Sequence, residues 1–228
     1  MKNRKMIIGL CLGGLMAQVG CKSYVGYRED GWEAYRQEDY AEAAENFAEA
    51  VDRKPSDYLS QYYLGVSLLK QEQAVAAQTP LEQALMIAPE NPQWTPQIAD
   101  AVAESYYQQG RVEKLYAFLD QMIADYNQQS YDFLRKARYL GMVGDADGQK
   151  LALTKAGQFA PMGDATPYLA QAEFYLSYND VPAALQALRY GYYVDPSNEA
   201  VQDQLRGQGI VPGPTQAERP PKAILLDQ

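Results

Sequence analysis

The chain has 228 residues, 47 % of them hydrophobic, with 20 Lys and Arg against 29 Asp and Glu, two cysteines and no histidine. The absence of histidine removes the usual general base near neutral pH, the commonest metal ligand and every Ser-His or Cys-His nucleophile. A net charge of −9 argues against nucleic acid as a partner.

At the N-terminus, Lys2, Arg4 and Lys5 precede an apolar run from Met6 to Met16, and Cys21 follows. This order predicts a secretory signal over residues 1–20, too short to span a bilayer comfortably. Val19-Gly20-Cys21 resembles the end of a bacterial lipobox, although Gln18 stands where an aliphatic residue is usual. The resemblance implies lipid on Cys21, which becomes the new N-terminus; cleavage nearby without lipid and a retained anchor are the alternatives. By resemblance to Gram-negative sorting, Lys22 after the cysteine favours the outer membrane. Without the signal the chain keeps 17 basic and 29 acidic residues, net −12. Anionic headgroups would repel it, so the N-terminal lipid must supply the membrane attachment. Cys11 leaves with the signal and Cys21 is blocked, which leaves the folded part without a thiol or a disulfide.

From Tyr24 onward a spacing recurs five times. Small residues stand at Gly31, Gly65, Ala103, Ala137 and Ala172, in steps of 34, 38, 34 and 35. Phe47, Leu81, Leu119, Leu153 and Leu188 repeat those steps, and so do Ala50, Ala84, Met122, Ala156 and Gly191. The predicted units are 24–57, 58–91, 96–129, 130–163 and 165–198. In the second, Leu64, Gly65 and Leu68 share one helix face, and Ala77, Leu81, Ala84 and Leu85 share another. Turns are expected at Glu38-Asp39, Glu72-Gln73, Gln109-Gly110, Gly144-Asp145 and Asn179-Asp180. Pro55, Pro89, Pro161 and Pro196 end four units, because proline cannot continue a helix. Asn127 stands where the third unit lacks its proline. Leu115 and Gln149 replace a small residue on the second helices of units three and four. Pro80 predicts a kink or a late helix start. Thr95-Pro96 and Thr166-Pro167 read as N-cap plus first-turn proline. Asp145-Ala146-Asp147-Gly148 has no later glutamate of a calcium loop and reads as a helix start. A cap helix is expected over 197–206, with Val201 and Leu205 inward. Residues 207–228 are proline-rich and read as a largely disordered tail carrying one apolar stretch, Ala223-Ile224-Leu225-Leu226.

A helix–turn–helix period near 34 residues, with small, large and small positions and a closing proline, resembles the tetratricopeptide-repeat family over about Tyr24 to Asn198. The resemblance implies an all-α fold: a right-handed helical solenoid of about five helix pairs with a C-terminal capping helix. One pair cannot bury its apolar stripe alone, so each pair stacks on the next.

The resemblance also implies that first helices line a concave groove. Aligning the units assigns to it Arg28, Trp32, Tyr35 and Arg36, then Tyr62 and Lys70, then Tyr107, then Tyr131 and Arg138. Val66, Leu69, Glu104, Gln108, Leu134 and Met142 accompany them. Tyrosine, 19 residues in all, suits recognition because it offers area with a polar tip; packing between repeats is the alternative. The family's carboxylate clamp is not expected, since Trp32 and Tyr63 stand where its asparagines belong. Neither a catalytic residue, a metal nor a cofactor is expected. The expectation is a non-enzymatic adaptor lipoprotein of the bacterial envelope that binds a protein or peptide segment, in assembly of an outer-membrane, pilus or secretion complex or as an adaptor for cell-wall enzymes. A small-ligand carrier or a carboxylate-based enzyme is the competing class.

Overall fold

The computed structural model describes residues 22–88, 93–125 and 129–221. Cys21 and the signal, Pro89, Asn127 and Ala223–Leu226 lie outside the described residues. Eleven α-helices form among the described residues, with no strand: α1 Tyr24–Arg36, α2 Tyr40–Arg53, α3 Tyr58–Lys70, α4 Ala74–Ile87, α5 Thr95–Gln108, α6 Val112–Asp125, α7 Ser130–Met142, α8 Ala146–Gln158, α9 Thr166–Ser177, α10 Val181–Val194 and α11 Glu199–Gly207. Consecutive helices pack along the chain, which is the arrangement of a tetratricopeptide-type solenoid.

The periodic positions explain the packing. Phe47, Leu81 and Leu188 are wholly buried, and Leu119 and Leu153 nearly so. Burying each such side chain stabilises by about 1.5–3 kcal/mol. The small residues make room for them. A Cβ on Gly65 would stand 2.4 Å from Leu81 Cγ and 3.2 Å from the Ala77 carbonyl, so only glycine permits this approach of α3 to α4. Ala103, Ala137 and Ala172 are buried in the equivalent places. In the fourth unit, where Gln149 replaces the small residue of the second helix, its amide lies over Gly141, whose missing side chain accommodates it.

The turn inside each pair is equally regular. Glu38, Glu72, Gly110, Gly144 and Asn179 all adopt positive φ, between 60° and 83°. In each case the next residue's N–H reaches back to the helix: Asp39 to Ala34 O, Gln73 to Leu68 O, Arg111 to Tyr106 O, Asp145 to Leu140 O and Asp180 to Tyr175 O, at 2.8–3.0 Å. This closes the first helix with a left-handed residue. Asp39, Asp145 and Asp180 then cap the second helices, accepting from the N–H groups of Glu42, Gly148 and Ala183. The Asp145 segment is therefore a helix start.

The two N-cap expectations are corrected, and of the two outcomes expected at Pro80 the late start is set aside. Thr95 and Thr166 are the first helical residues rather than N-caps, which are Trp94 and Ala165. The Thr95 hydroxyl instead donates to the Ala88 carbonyl at 3.1 Å, tying α5 to the end of α4. Helix α4 does not start late at Pro80; it begins at Ala74 and runs through the buried proline. At the C-terminal end Val201 and Leu205 of α11 are fully buried against α9 and α10. Beyond it, Pro214–Gln216 forms a short 3-10 turn beside α10, and the Glu218 N–H donates to Arg189 O at 3.3 Å.

Candidate functional site

Two adjoining depressions are lined almost wholly by first helices. The repeat steps carry Arg28 to Tyr62, Asp100 and Leu134, and carry Trp32 to Val66, Glu104, Arg138 and Glu173. These two columns supply part of the surface, and Arg36, Lys70, Gln108 and Tyr139 add to it from other positions.

The N-terminal depression holds about 360 Å3 and is lined by Arg28, Glu29, Trp32 and Arg36 of α1 and Leu59 of α3. Trp32 is 40 % exposed, high for an indole with this much apolar area. Its ring meets Tyr63 edge-on, 5.1 Å between centroids. Tyr63 also touches Tyr35 at 5.4 Å, Phe47 at 5.5 Å, Tyr62 at 5.0 Å and Trp94 at 6.3 Å. Edge-to-face contacts of this kind add about 0.5–1.5 kcal/mol each beyond area. Tyr63 is thus the hub that holds the Trp32 ring against α3. The two arginines are engaged locally. Arg28 donates to both carboxylate oxygens of Asp57 at 3.1 and 3.2 Å, and Asp57 also caps α3 through the Ser60 N–H. Arg36 pairs with Glu33 one turn away, and the Gln37 amide and this pair hold the Glu33 carboxyl below its usual range. Arg28 therefore ties the first unit to the second.

The central depression holds about 310 Å3 between α3, α5 and α7. Tyr62, Val66, Leu69 and Lys70 form one wall, Asp100, Glu104 and Gln108 the floor, and Arg138 with Tyr139 the other wall. Arg135, buried, anchors this floor. It donates to Asp100 at 2.7 Å, to Asp132 at 2.6 Å and to the Pro96 carbonyl at 3.1 Å. Burial raises the Asp132 carboxyl above its ordinary range, against the pull of Arg135. The buried Tyr139 hydroxyl lies 3.0 Å from the Asp100 carbonyl oxygen, 3.1 Å from a Glu104 carboxylate oxygen and 3.0 Å from an Arg138 nitrogen. Desolvation pushes the Tyr62 phenol up to about 12, with Tyr63, Tyr35 and Asp100 adding to it, and pushes Tyr139 up as well. These phenols stay neutral hydrogen-bonding groups near neutral pH. Lys70 is exposed and has no ion pair among the described residues.

The fold brings Arg28, Trp32 and Arg36 together in one depression and Tyr62, Lys70 and Arg138 in the other. It does not bring in Tyr35, Tyr107 or Tyr131. Tyr35 packs edge-on against Tyr40 and Tyr63. Tyr107 tilts onto Tyr139 at 6.0 Å. Tyr131 is exposed one turn earlier on α7, with the Arg135 guanidinium 5.8 Å from its ring. Sequence reasoning placed Glu104 in the groove but missed Asp100 and Tyr139, which with it complete a carboxylate floor. The signal was present for Asp100, which stands 38 residues after Tyr62 at the step between units two and three. Past Arg138 the surface continues into a third depression, lined by Leu134, by Phe174 of α9 and by Tyr178 just past its end. Among the described residues no group of three or more Cys, Asp or Glu is arranged to hold a metal ion. What this surface offers is recognition chemistry: exposed aromatic area, an unpaired cation at Lys70 and alternating carboxylates and arginines.

No family model matches the chain, and no curated protein matches it in sequence. Solved structures do. The chain is similar to PilW, a widely conserved type IV pilus biogenesis factor, with a TM-score of 0.56 and 17 % identity over 81 % of this chain and 83 % of that one. It is also similar to YrrB, a TPR protein with an unusual peptide-binding site, at TM-score 0.48 and 13 % identity over 83 % and 93 % of the two chains. A third is TTC0263, a thermophilic TPR protein in Thermus thermophilus, at TM-score 0.46 and 17 % identity over 81 % and 98 %. The likeness to PilW shows a common fold.

Proposed function

We propose that this protein is a non-enzymatic interaction scaffold of the bacterial envelope, held at the membrane by lipid on Cys21, that binds a segment of a protein partner along its first helices. The observation that carries the binding reading is the pair of depressions, one holding a half-exposed Trp32 packed edge-on against Tyr63, the other holding Lys70, which has no ion pair among the described residues, beside Tyr62. A rigid ring with one face open offers contact area at little entropic cost, which is what a recognition surface needs. The membrane reading rests on Lys2, Arg4, Lys5, the Met6–Met16 run and Gly20-Cys21. Tethering raises the effective concentration of the surface for other envelope proteins. Assembly of a pilus is the first process to examine, since PilW, which shares the fold, is a pilus biogenesis factor.

The test combines Trp32→Ala with Lys70→Glu, leaving Arg28 in place because it holds the first two units together. Crosslinking in the native host captures the partner with the wild-type chain, and the double variant is expected to lose it with unchanged circular dichroism. Normal capture by that variant rules the surface out. Cys21→Ser should move the protein from the membrane fraction to the soluble one. Retention in the membrane would show that lipid is not the anchor.

A further inference from the structure

A crevice walled by α6, α7 and α8 shares no lining residue with the depressions described above. It holds about 390 Å3. Tyr116, Ile123, Leu140, Leu151 and Ala152 give it an apolar lining, and Leu151 is 61 % exposed. Apolar lining left to water carries a free-energy cost that an apolar occupant removes. The volume sits near the lower end of the roughly 300–1,000 Å3 typical of small-molecule sites.

The repeat steps single out two of its residues. At the places equivalent to Leu151 stand Glu45, Thr79, Ala117 and Gln186, and at those equivalent to Lys155 stand Glu49, Gln83, Gln121 and Tyr190. Only the fourth unit sets a large apolar side chain at the first place and a cation at the second. The two are four residues apart on α8 and share one face. Both are exposed, so neither serves to fill the core. Four charged groups line the crevice, and three of them are engaged. Lys136 pairs with Asp120. Asp145 caps α8, accepting from the Gly148 N–H at 2.9 Å, and the helix N-terminus offsets its charge. Lys155 has no ion pair among the described residues. Its ammonium stands 5.8 Å from the centre of the Phe133 ring, which is also part of the lining. The charge left for a ligand is therefore positive.

We propose that this crevice is a binding site for a small amphipathic anion, a short alkyl or aryl carboxylate. Its apolar body lies against Ile123, Leu140 and Leu151, and its carboxylate pairs with Lys155. The apolar body takes Leu151 and its neighbours out of water, and the carboxylate gains a charge-assisted hydrogen bond from the ammonium. A ligand cation would meet Lys155 with no free carboxylate to hold it, since Asp120 and Asp145 are already engaged. The site is separate from the partner-binding surface, and neither needs the other.

The test titrates the full chain with decanoate below its micelle-forming concentration, followed by calorimetry and by the isoleucine methyl signals in nuclear magnetic resonance. Saturable binding is expected. The Ile123 signal should move, and that of Ile210, packed on the α9–α11 cluster, should stay in place. Lys155→Glu should weaken binding about tenfold by removing the ion pair and adding repulsion. Leu151→Asp should weaken it by about tenfold or more, because a carboxylate then stands in the apolar wall. Both residues are exposed, so circular dichroism should be unchanged. Val75→Asp, at an exposed apolar residue of α4, is the control and should bind as wild type. Decyltrimethylammonium, with the same chain and the opposite charge, should bind about tenfold more weakly than decanoate. No saturable binding of decanoate overturns the proposal. So does an affinity that Lys155→Glu leaves unchanged, or equal affinity for the two probes. Tighter binding of N-acetyl-leucyl-leucyl-aspartyl amide than of decanoate overturns it in favour of a protein segment.

Discussion

Gly65→Ala tests the close approach on which the repeat depends, because two effects of opposite sign meet at one methyl group. Within a helix, alanine is favoured over glycine by about 0.5–1 kcal/mol, so an exposed site would gain stability. Here the added Cβ would stand 2.4 Å from Leu81 Cγ, 2.6 Å from Leu81 Cδ2 and 3.2 Å from the Ala77 carbonyl oxygen. Leu81 is fully buried among Ala77, Ala84 and Ile98 and cannot swing aside, and the Ala77 carbonyl belongs to the backbone of α4. Overpacking of this kind costs about 1–3 kcal/mol, and the upper half of that range applies because none of these neighbours is a free chain end. The net effect is a loss of about 1–2 kcal/mol, which lowers the melting temperature by roughly 2–8 °C for a domain this size. Thermal melts followed by far-ultraviolet circular dichroism measure it. Gly207→Ala is the control: nothing lies within 4 Å of its added Cβ, so it should be neutral or stabilising. In a Leu81→Ala background the two shortest contacts are gone and only the Ala77 carbonyl at 3.2 Å remains, so Gly65→Ala should then destabilise much less. A Gly65→Ala variant that melts at or above wild type would refute the reasoning.

Two further outcomes follow from the backbone and from the buried phenols. Glu72 holds φ at 61°, which costs a residue with a side chain about 1–2 kcal/mol, whereas glycine gives back about half of that in entropy; Glu72→Gly should raise the melting temperature by about 1–4 °C, and a lower one would contradict the left-handed turn. Desolvation raises the Tyr62, Tyr106 and Tyr168 phenols from 10.0 to about 12. The folded state keeps protons that the unfolded state has lost, so their contribution is intact below about pH 10 and is lost as pH rises toward 12, at up to about 1.4 kcal/mol per pH unit for the buried Tyr168 and less for the more solvated Tyr62 and Tyr106. Urea unfolding across that window should show stability falling with pH, and Tyr168→Phe should flatten the slope by one group; a slope unchanged by that variant would show that Tyr168 is not held neutral by burial.

The periodic part of this protein was legible in its residues. Gly65, Leu81 and Ala84, and their equivalents at the same steps, end in equivalent surroundings because each unit repeats one local packing problem, and a residue's place within a unit decides whether it is buried. The turn residues follow the same logic: Glu38, Glu72, Gly110, Gly144 and Asn179 recur at the repeat steps because each first helix must be closed the same way. The character of the surface was not legible in this manner. Arg28 is spent on Asp57, 29 residues away, and Arg135 joins Asp132 of its own helix to Asp100 of the preceding unit. Pairs of that kind join neighbouring first helices or their caps, and a unit's spacing is silent on what the next helix presents. Tyr107 and Tyr131 stand at the repeat positions of Leu69 and Gln97, which do line the central depression, yet Tyr107 tilts onto Tyr139 and Tyr131 lies near the Arg135 guanidinium, so the surroundings and not the register decide the outcome. A space of about 390 Å3 opens between α6, α7 and α8, lined by Tyr116, Ile123, Leu140 and Leu151. No spacing in the sequence marks it, because it depends on how three helices settle against one another, and only the tertiary structure decides that.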